Sequence, residues 1–179
     1  AESGYYDNTY VFNSEPGVYF GAGSPNKNGD LNKDNEQAAL EYEQELHQNL
    51  WPFKGALCSL TTSEEGGFWK KFKGESKILN GSRFAVLNSV EFTEDLKKEL
   101  LESDKNTTLA EAFIEYGGCP SLSQKITVFG QTYEGFDVID KLTSLEITDS
   151  EDGTKIPVED IMIETIEDRK STRLNSSHH

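Results

Sequence analysis

Cysteine is scarce: Cys58 and Cys119 are the only two in 179 residues. They are too few for a disulfide framework, and neither has a histidine at metal-ligand spacing. A single bridge between them would need an oxidising compartment and suitable geometry, so one disulfide and two small buried apolar residues both stay open. Histidine is as rare. Two of the three close the chain as His178 and His179, which leaves His47 as a solvated or hydrogen-bonded side chain rather than a ligand. With neither a Walker-type glycine loop nor a His-Glu metal helix, no metal, nucleotide or other cofactor is implied. Basic residues are also few, 17 against 32 acidic ones, for a formal charge of −15. Without a basic stripe there is no electrostatic footprint for nucleic acid or an anionic membrane. Such acidity serves solubility, or attracts basic segments of client chains, and says nothing about fold. No apolar run approaches the roughly 20 residues of a membrane span. No signal peptide is visible either, and the sequence names no compartment.

What is present is the composition of one globular domain, 35% apolar and 27% charged, long enough to bury a core and read as a monomer. Residues 10–23 hold two β-prone pieces around Pro16-Gly17, a hairpin signal. From Ser24 to Glu36 loop formers dominate, as in a surface excursion. Gln37 to His47 reads as a short solvated helix or an extended connection. Gly55 to Thr62 is a buried-strand pattern. After it, Glu64 to Lys77 interleaves Phe68, Trp69 and Phe72 with four lysines. Such interleaving can bind single strands, but on so acidic a chain the aromatics are expected to fold back onto the domain. Ser82 to Asn88 is another strand. Thr93 caps a helix reaching Glu102, and Thr108 to Tyr116 forms a second, closed by Gly117-Gly118. Lys125 to Tyr133 reads as a strand, Glu134 to Leu142 as a helix, and Asp160 to Glu167 as a closing strand. Many short strands with few helices predict a closed β-barrel or sandwich with helical additions. Periodicity stops at Asp168. The run from there to His179 resembles the translation of a sequencing adapter, so 168–179 is set aside as a non-native tail, a natural basic tail being the alternative.

Three blocks then carry a resemblance. Gly4-Tyr-Tyr-Asp leads through the hairpin to Gly23-Ser-Pro-Asn; Gly55-Ala-Leu is followed later by Asn80-Gly-Ser-Arg-Phe; and Thr127-Val-Phe-Gly-Gln-Thr-Tyr-Glu-Gly-Phe-Asp-Val-Ile-Asp-Lys runs almost without gaps. In kind and order these are similar to the blocks of cyclophilin-type peptidyl-prolyl isomerases, and the chain resembles a divergent, bacterial-like member. The resemblance covers residues 4–167, with insertions near 64–79 and 88–118, so residues 1–167 are expected to form one partial cyclophilin-like domain. It implies a mainly β fold, an antiparallel β-barrel capped by helices. By the same resemblance the chain begins after the first two strands and most of the first helix, which would leave the barrel incomplete, with unpaired edges.

The chemistry implied is rotation of an X-Pro peptide bond against a barrier of about 20 kcal/mol set by amide resonance. An enzyme lowers it by seating the proline ring in an apolar pocket and aiming a donor at the prolyl nitrogen, which gains a lone pair as the bond twists. In the family an arginine is that donor. Carried over residue by residue, the arginine position falls on Asn13, with Phe12 before it. The pocket positions fall on Val18, Tyr19, Gly21, Phe84, Ala85 and Leu122, the rim on Ser121, and the backbone-cradling loop on Leu60-Thr61-Thr62. Asn13 is short and uncharged and should stabilise the twisted amide less than a guanidinium. An arginine, Arg83, stands instead where the family has a glutamine beside its catalytic arginine. Two readings of Arg83 remain: a replacement donor, or a partner of one of many carboxylates. The resemblance thus implies a prolyl isomerase assisting protein folding with a weakened site, acting on proline-containing peptides or unfolded clients. The alternative is an inactive peptide- or protein-binding module.

Overall fold

The Pro16-Gly17 turn does what its residues suggest. Gly17 takes a left-handed φ of +73°, Val18 N–H donates to Glu15 O at 2.9 Å, and two strands run antiparallel from it, β1 (Thr9–Glu15) and β2 (Tyr19–Ser24). The computed structural model describes residues 1–30, 40–62, 78–103 and 105–169. Within them lie β3 (Tyr42–Glu43), β4 (Ala56–Thr61), β5 (Leu79–Leu87), β6 (Val128–Gln131), β7 (Ile147–Asp149), β8 (Lys155–Pro157) and β9 (Met162–Ile163). The helices are α1 (Glu94–Ser103), α2 (Thr107–Tyr116) and α3 (Phe136–Leu142). One antiparallel sheet runs β6-β4-β5-β2-β1-β9, with β3 also on β5, and among the described residues it ends at β6 and β9 without closing.

Because side chains alternate along a strand, the sheet separates two cores. Val11, Phe20, Ala22, Val86 and Ile139 pack on one side, where Leu57, Phe84, Phe136 and Leu142 join them and α3 covers the sheet. Phe12, Tyr19, Ala56, Cys58, Leu60, Ala85, Leu87, Cys119 and Leu122 form the other. Each fully buried side chain of this kind contributes about 2 kcal/mol of transfer free energy. Both cysteines are buried free thiols in the second group. Burial pushes the Cys119 thiol up to about 12, and Cys58 is raised by burial and then by Cys119.

Helix α1 forms at its Thr93 signal, and α2 begins at Thr107, one residue before the expected Thr108, behind a cap at Asn106. Thr93 Oγ1 accepts from Leu96 N–H at 3.2 Å and Asn106 Oδ1 from Leu109 N–H at 3.2 Å, each satisfying an orphan donor of a first turn. Helix α2 buries Ala110 and Phe113, the latter with its ring 4.6 Å from Phe53, whereas α1 buries no residue. Gly118, at φ +139°, has no room for a side chain, since a Cβ would come within 2.4 Å of Pro52 O.

Of the two readings of Gln37 to His47, the described part, residues 40–47, follows the extended one: Tyr42 pairs with Asn80, and its hydroxyl meets Ser59 Oγ at 2.5 Å. Two local expectations change. The closing strand shrinks to Met162–Ile163. A hairpin not foreseen, β7 with β8, turns at Gly153 (φ +82°), and Lys155 Nζ reaches Glu15 Oε1 at 2.6 Å to tie it to β1. Residues 63–77, with most of the expected 64–79 insertion, and residues 170–179 of the tail lie outside the described residues. Among the described residues no helix is long and apolar enough to cross a membrane, and no cluster of metal-ligating side chains occurs.

Candidate functional site

Register places the site. Asn13 pairs with Gly21, Gly21 with Ala85 and Ala85 with Cys58, so one row crosses β1, β2, β5 and β4. Directly paired residues share a face, which is the face of the cysteine-containing core. Tyr19 pairs with Leu87 one step along the same face, and Arg83, two residues before Ala85, emerges there as well. Leu60 and Leu122 pack into the same core, with Val18 half-buried against it. The structure therefore brings together Asn13, Val18, Tyr19, Gly21, Leu60, Arg83, Ala85 and Leu122. Thr61 joins through its backbone carbonyl. Ser121 is exposed in the short 3-10 turn Pro120–Leu122. Phe84 faces the opposite way: it packs into the core under α3, with the Tyr6 ring edge-on at 5.6 Å.

Two polar groups dominate this face. Asn13 Nδ2 donates to the Tyr19 hydroxyl at 2.9 Å, while its buried Oδ1 has no hydrogen-bond partner among the described residues. Tyr19 itself is only 3% exposed. The second group is Arg83. Its Nη1 donates to Gly29 O at 2.8 Å and its Nη2 to Thr61 O at 2.7 Å, and Cζ lies 5.6 Å from the centroid of the Phe12 ring. Burial lowers the guanidinium pKa from its usual value, against the fields of Asp30 and then Tyr5; an arginine so placed keeps its charge. Phe12, 6% exposed, reaches this face because β1 bulges between Val11 and Asn13. Its ring fills the space over Gly21, where a Cβ would come within 2.9 Å of Phe12 Cζ.

Chemically the face offers an apolar floor, one neutral amide and one charged fork of donors. Among the described residues it holds no nucleophile hydrogen-bonded to a base. Two contributions were not foreseen. Phe12 was named only as the residue before Asn13, and the bulge that turns its ring onto this face leaves no mark in the residue pattern; Gly29 was legible only as part of a turn-rich stretch.

A family model described as cyclophilin type peptidyl-prolyl cis-trans isomerase/CLD matches residues 1–168. A Streptococcus pyogenes protein provisionally named a bifunctional phosphatase/peptidyl-prolyl cis-trans isomerase is 30% identical over 93% of this chain and 32% of its own length. A Staphylococcus saprophyticus protein provisionally named a peptidyl-prolyl cis-trans isomerase is 33% identical over 49% of this chain and 43% of its own. The chain thus spans less than half the length of either relative. A crystal structure of a Cryptosporidium parvum cyclophilin type peptidyl-prolyl cis-trans isomerase, in the presence of the dipeptide Ala-Pro, superposes with TM-score 0.55. At 17% identity over 94% of this chain and 80% of that one, it shares the fold.

Proposed function

Since the chain belongs to the cyclophilin-type peptidyl-prolyl cis-trans isomerase family, we propose that it rotates X-Pro bonds of proline-containing peptides or unfolded chains on the face crossed by Asn13, Gly21 and Ala85. On this reading residues 1–167 act as one cyclophilin-like domain, interrupted near 64–79 and 88–118. Arg83, not Asn13, supplies the charged donor. Leu60, Ala85, Leu122, Val18 and Tyr19 form the apolar side of the pocket, Gly21 and Thr61 line it through the backbone, and Ser121 stands at the rim. Phe84 supports the sheet from behind. The observation that carries the reading is the Arg83 guanidinium, held on this face by two carbonyls at 2.8 and 2.7 Å. A twisted X-Pro amide loses resonance and its nitrogen becomes an acceptor, so a fixed charged donor favours the transition state over either ground state.

A second reading, a cyclophilin-like module that binds without turnover, draws support from the burial of Tyr19 and Phe12, 3% and 6% exposed, which covers much of the apolar floor. One measurement separates the two. Exchange between cis and trans signals of an Ala-Pro peptide, followed by NMR with the full chain, should be accelerated. Arg83→Ala should lower kcat/KM by roughly tenfold or more, the size of one lost charged hydrogen bond. Acceleration unchanged in that variant overturns Arg83 as donor, and its absence in the unaltered chain leaves the binding module.

A further inference from the structure

Arg83 is oriented by parts of the chain remote from it in sequence. A guanidinium is a planar fork with donors on all three nitrogens. The bonds from Nη1 to Gly29 O and from Nη2 to Thr61 O come from two segments, so they fix the plane rather than one edge. They use one hydrogen on each terminal nitrogen, and the fork retains Nε–H and a second hydrogen on each Nη.

Gly29 is suited to this place in two ways. It takes φ +87°, and a Cβ there would come within 2.5 Å of Phe12 Cδ2 and 3.1 Å of Phe12 Cγ. Only glycine therefore lets the carbonyl reach Arg83 while the Phe12 ring stays beneath the guanidinium. The loop carrying that carbonyl is braced from within. Gly29 N–H donates to Asn26 O at 3.0 Å, Asn26 Nδ2 and Ser24 Oγ both donate to Asp30 O at 2.8 and 3.0 Å, and Asn26 N–H donates to Ser24 Oγ at 3.1 Å. Asp30, whose carboxylate accepts from Asn28 Nδ2 at 2.8 Å, adds a negative field near the cation.

We propose that the loop from Ser24 to Asp30 is a positioning device for Arg83, with Gly29 as its central residue: the Gly29 and Thr61 carbonyls and the Phe12 ring hold the guanidinium so that its remaining donors face an X-Pro bond. This rests on the isomerase reading above, and it adds that the donor's hydrogen bonds go to a backbone cradle, with the Phe12 ring beneath, instead of to a side-chain carboxylate. The same chemistry predicts that the cradle accepts a free guanidinium ion when the side chain is removed.

The test uses the full chain, the Ala-Pro peptide exchange assay and guanidinium chloride at concentrations far below those that unfold the protein. Gly29→Ala should lower kcat about as much as Arg83→Ala does, with KM little changed, and the double variant should be no slower than either single one. Added guanidinium should restore part of the rate of Arg83→Ala and none of that of the double variant, a readout that a loop needed only for stability would not give. Loss of activity in Arg83→Ala with full activity in Gly29→Ala overturns the positioning role and leaves the isomerase reading standing. Full activity in Arg83→Ala overturns that reading first. If Gly29→Ala does not fold, Phe12→Leu takes its place, keeping apolar volume and removing the ring: kcat should drop severalfold and guanidinium rescue of Arg83→Ala should weaken in the double variant. An unchanged rate and unchanged rescue overturn the proposal.

Discussion

The two edges of the site solve the same problem differently. At the β1–β2 edge, Asn13 gives one hydrogen to Tyr19 at 2.9 Å and keeps a buried Oδ1 without a partner. At the β5 edge, Arg83 gives two hydrogens to backbone carbonyls and rests near an aromatic ring. The first edge is a neutral pair turned inward; the second is a charged fork braced from outside. A donor that must act on a ligand benefits from being held by acceptors that cannot move with it, and main-chain carbonyls of a sheet and a braced loop are such acceptors. On the proposed reading, Asn13, which the resemblance sets at the family's arginine position, is the less suited donor of the two, and Arg83 across β2 the better one.

Stability separates the edges most strongly at Arg83. Arg83→Met keeps the apolar stem but strips the donors, leaving the Gly29 and Thr61 carbonyls without their charged partner. We expect a loss of about 3 kcal/mol, from two charge-assisted bonds and the desolvation of their acceptors. Urea unfolding at constant m-value reads it. A change below about 1 kcal/mol, within the range of ordinary surface substitutions and weak pairs, would place Arg83 no deeper in the structure than Asn13.

A smaller effect is expected at the other edge. Tyr19→Phe removes the acceptor of Asn13 Nδ2 and leaves the whole amide without a partner, at about 1–2 kcal/mol. Asn13→Leu removes both the bond and the orphaned oxygen, so the double variant should be more stable than the sum of the single ones implies. The cycle isolates the Asn13–Tyr19 coupling, whatever else the Tyr19 hydroxyl touches, and about 1 kcal/mol is expected. Strict additivity would dissolve the pair.

How much of this was legible follows from what leaves a trace in side chains. The hairpin was marked by Pro16-Gly17, the helix starts by Thr93 and their close by Gly117-Gly118, and the helix after β6 by the spacing of Phe136, Ile139 and Leu142. Alternation along β5 also sets Arg83 and Ala85 on one face and Phe84 on the other, a period-two argument that position-by-position transfer of pocket roles overrides. The β7–β8 hairpin was hidden because its strands, three residues each, are too short for a period to show. The bulge that brings Phe12 beside Asn13 has no residue signature. Nor do the partners of Arg83, because a backbone carbonyl is the same at Gly29 and Thr61 as anywhere else in the chain.

The smallest effect belongs to neither edge and serves as their control. Behind the sheet, Asp140 Oδ1 accepts from Asn88 Nδ2 at 3.0 Å and from Lys54 Nζ at 3.1 Å, joining α3 to the end of β5. The Lys54 hydrogen bond first, then that of Asn88, lowers its pKa from the usual 3.8. A carboxyl depressed on folding contributes stability above its unfolded value, and that contribution is lost as pH falls below 3.8 through the folded value. Asp140→Asn should therefore melt slightly lower than the unaltered chain at neutral pH, and the gap should close in acid. The sites of Arg83 and Asn13 hold their bonds through groups that do not change charge in this window, so the deficits of Arg83→Met and Tyr19→Phe should persist there. Melting curves of the three variants across the acid range decide the matter: a gap for Asp140→Asn that does not shrink at all as pH falls from 3.8 through the folded value would remove the assigned cause of its shift, and deficits at the two edges that vanish with it would show both to depend on a titrating carboxylate.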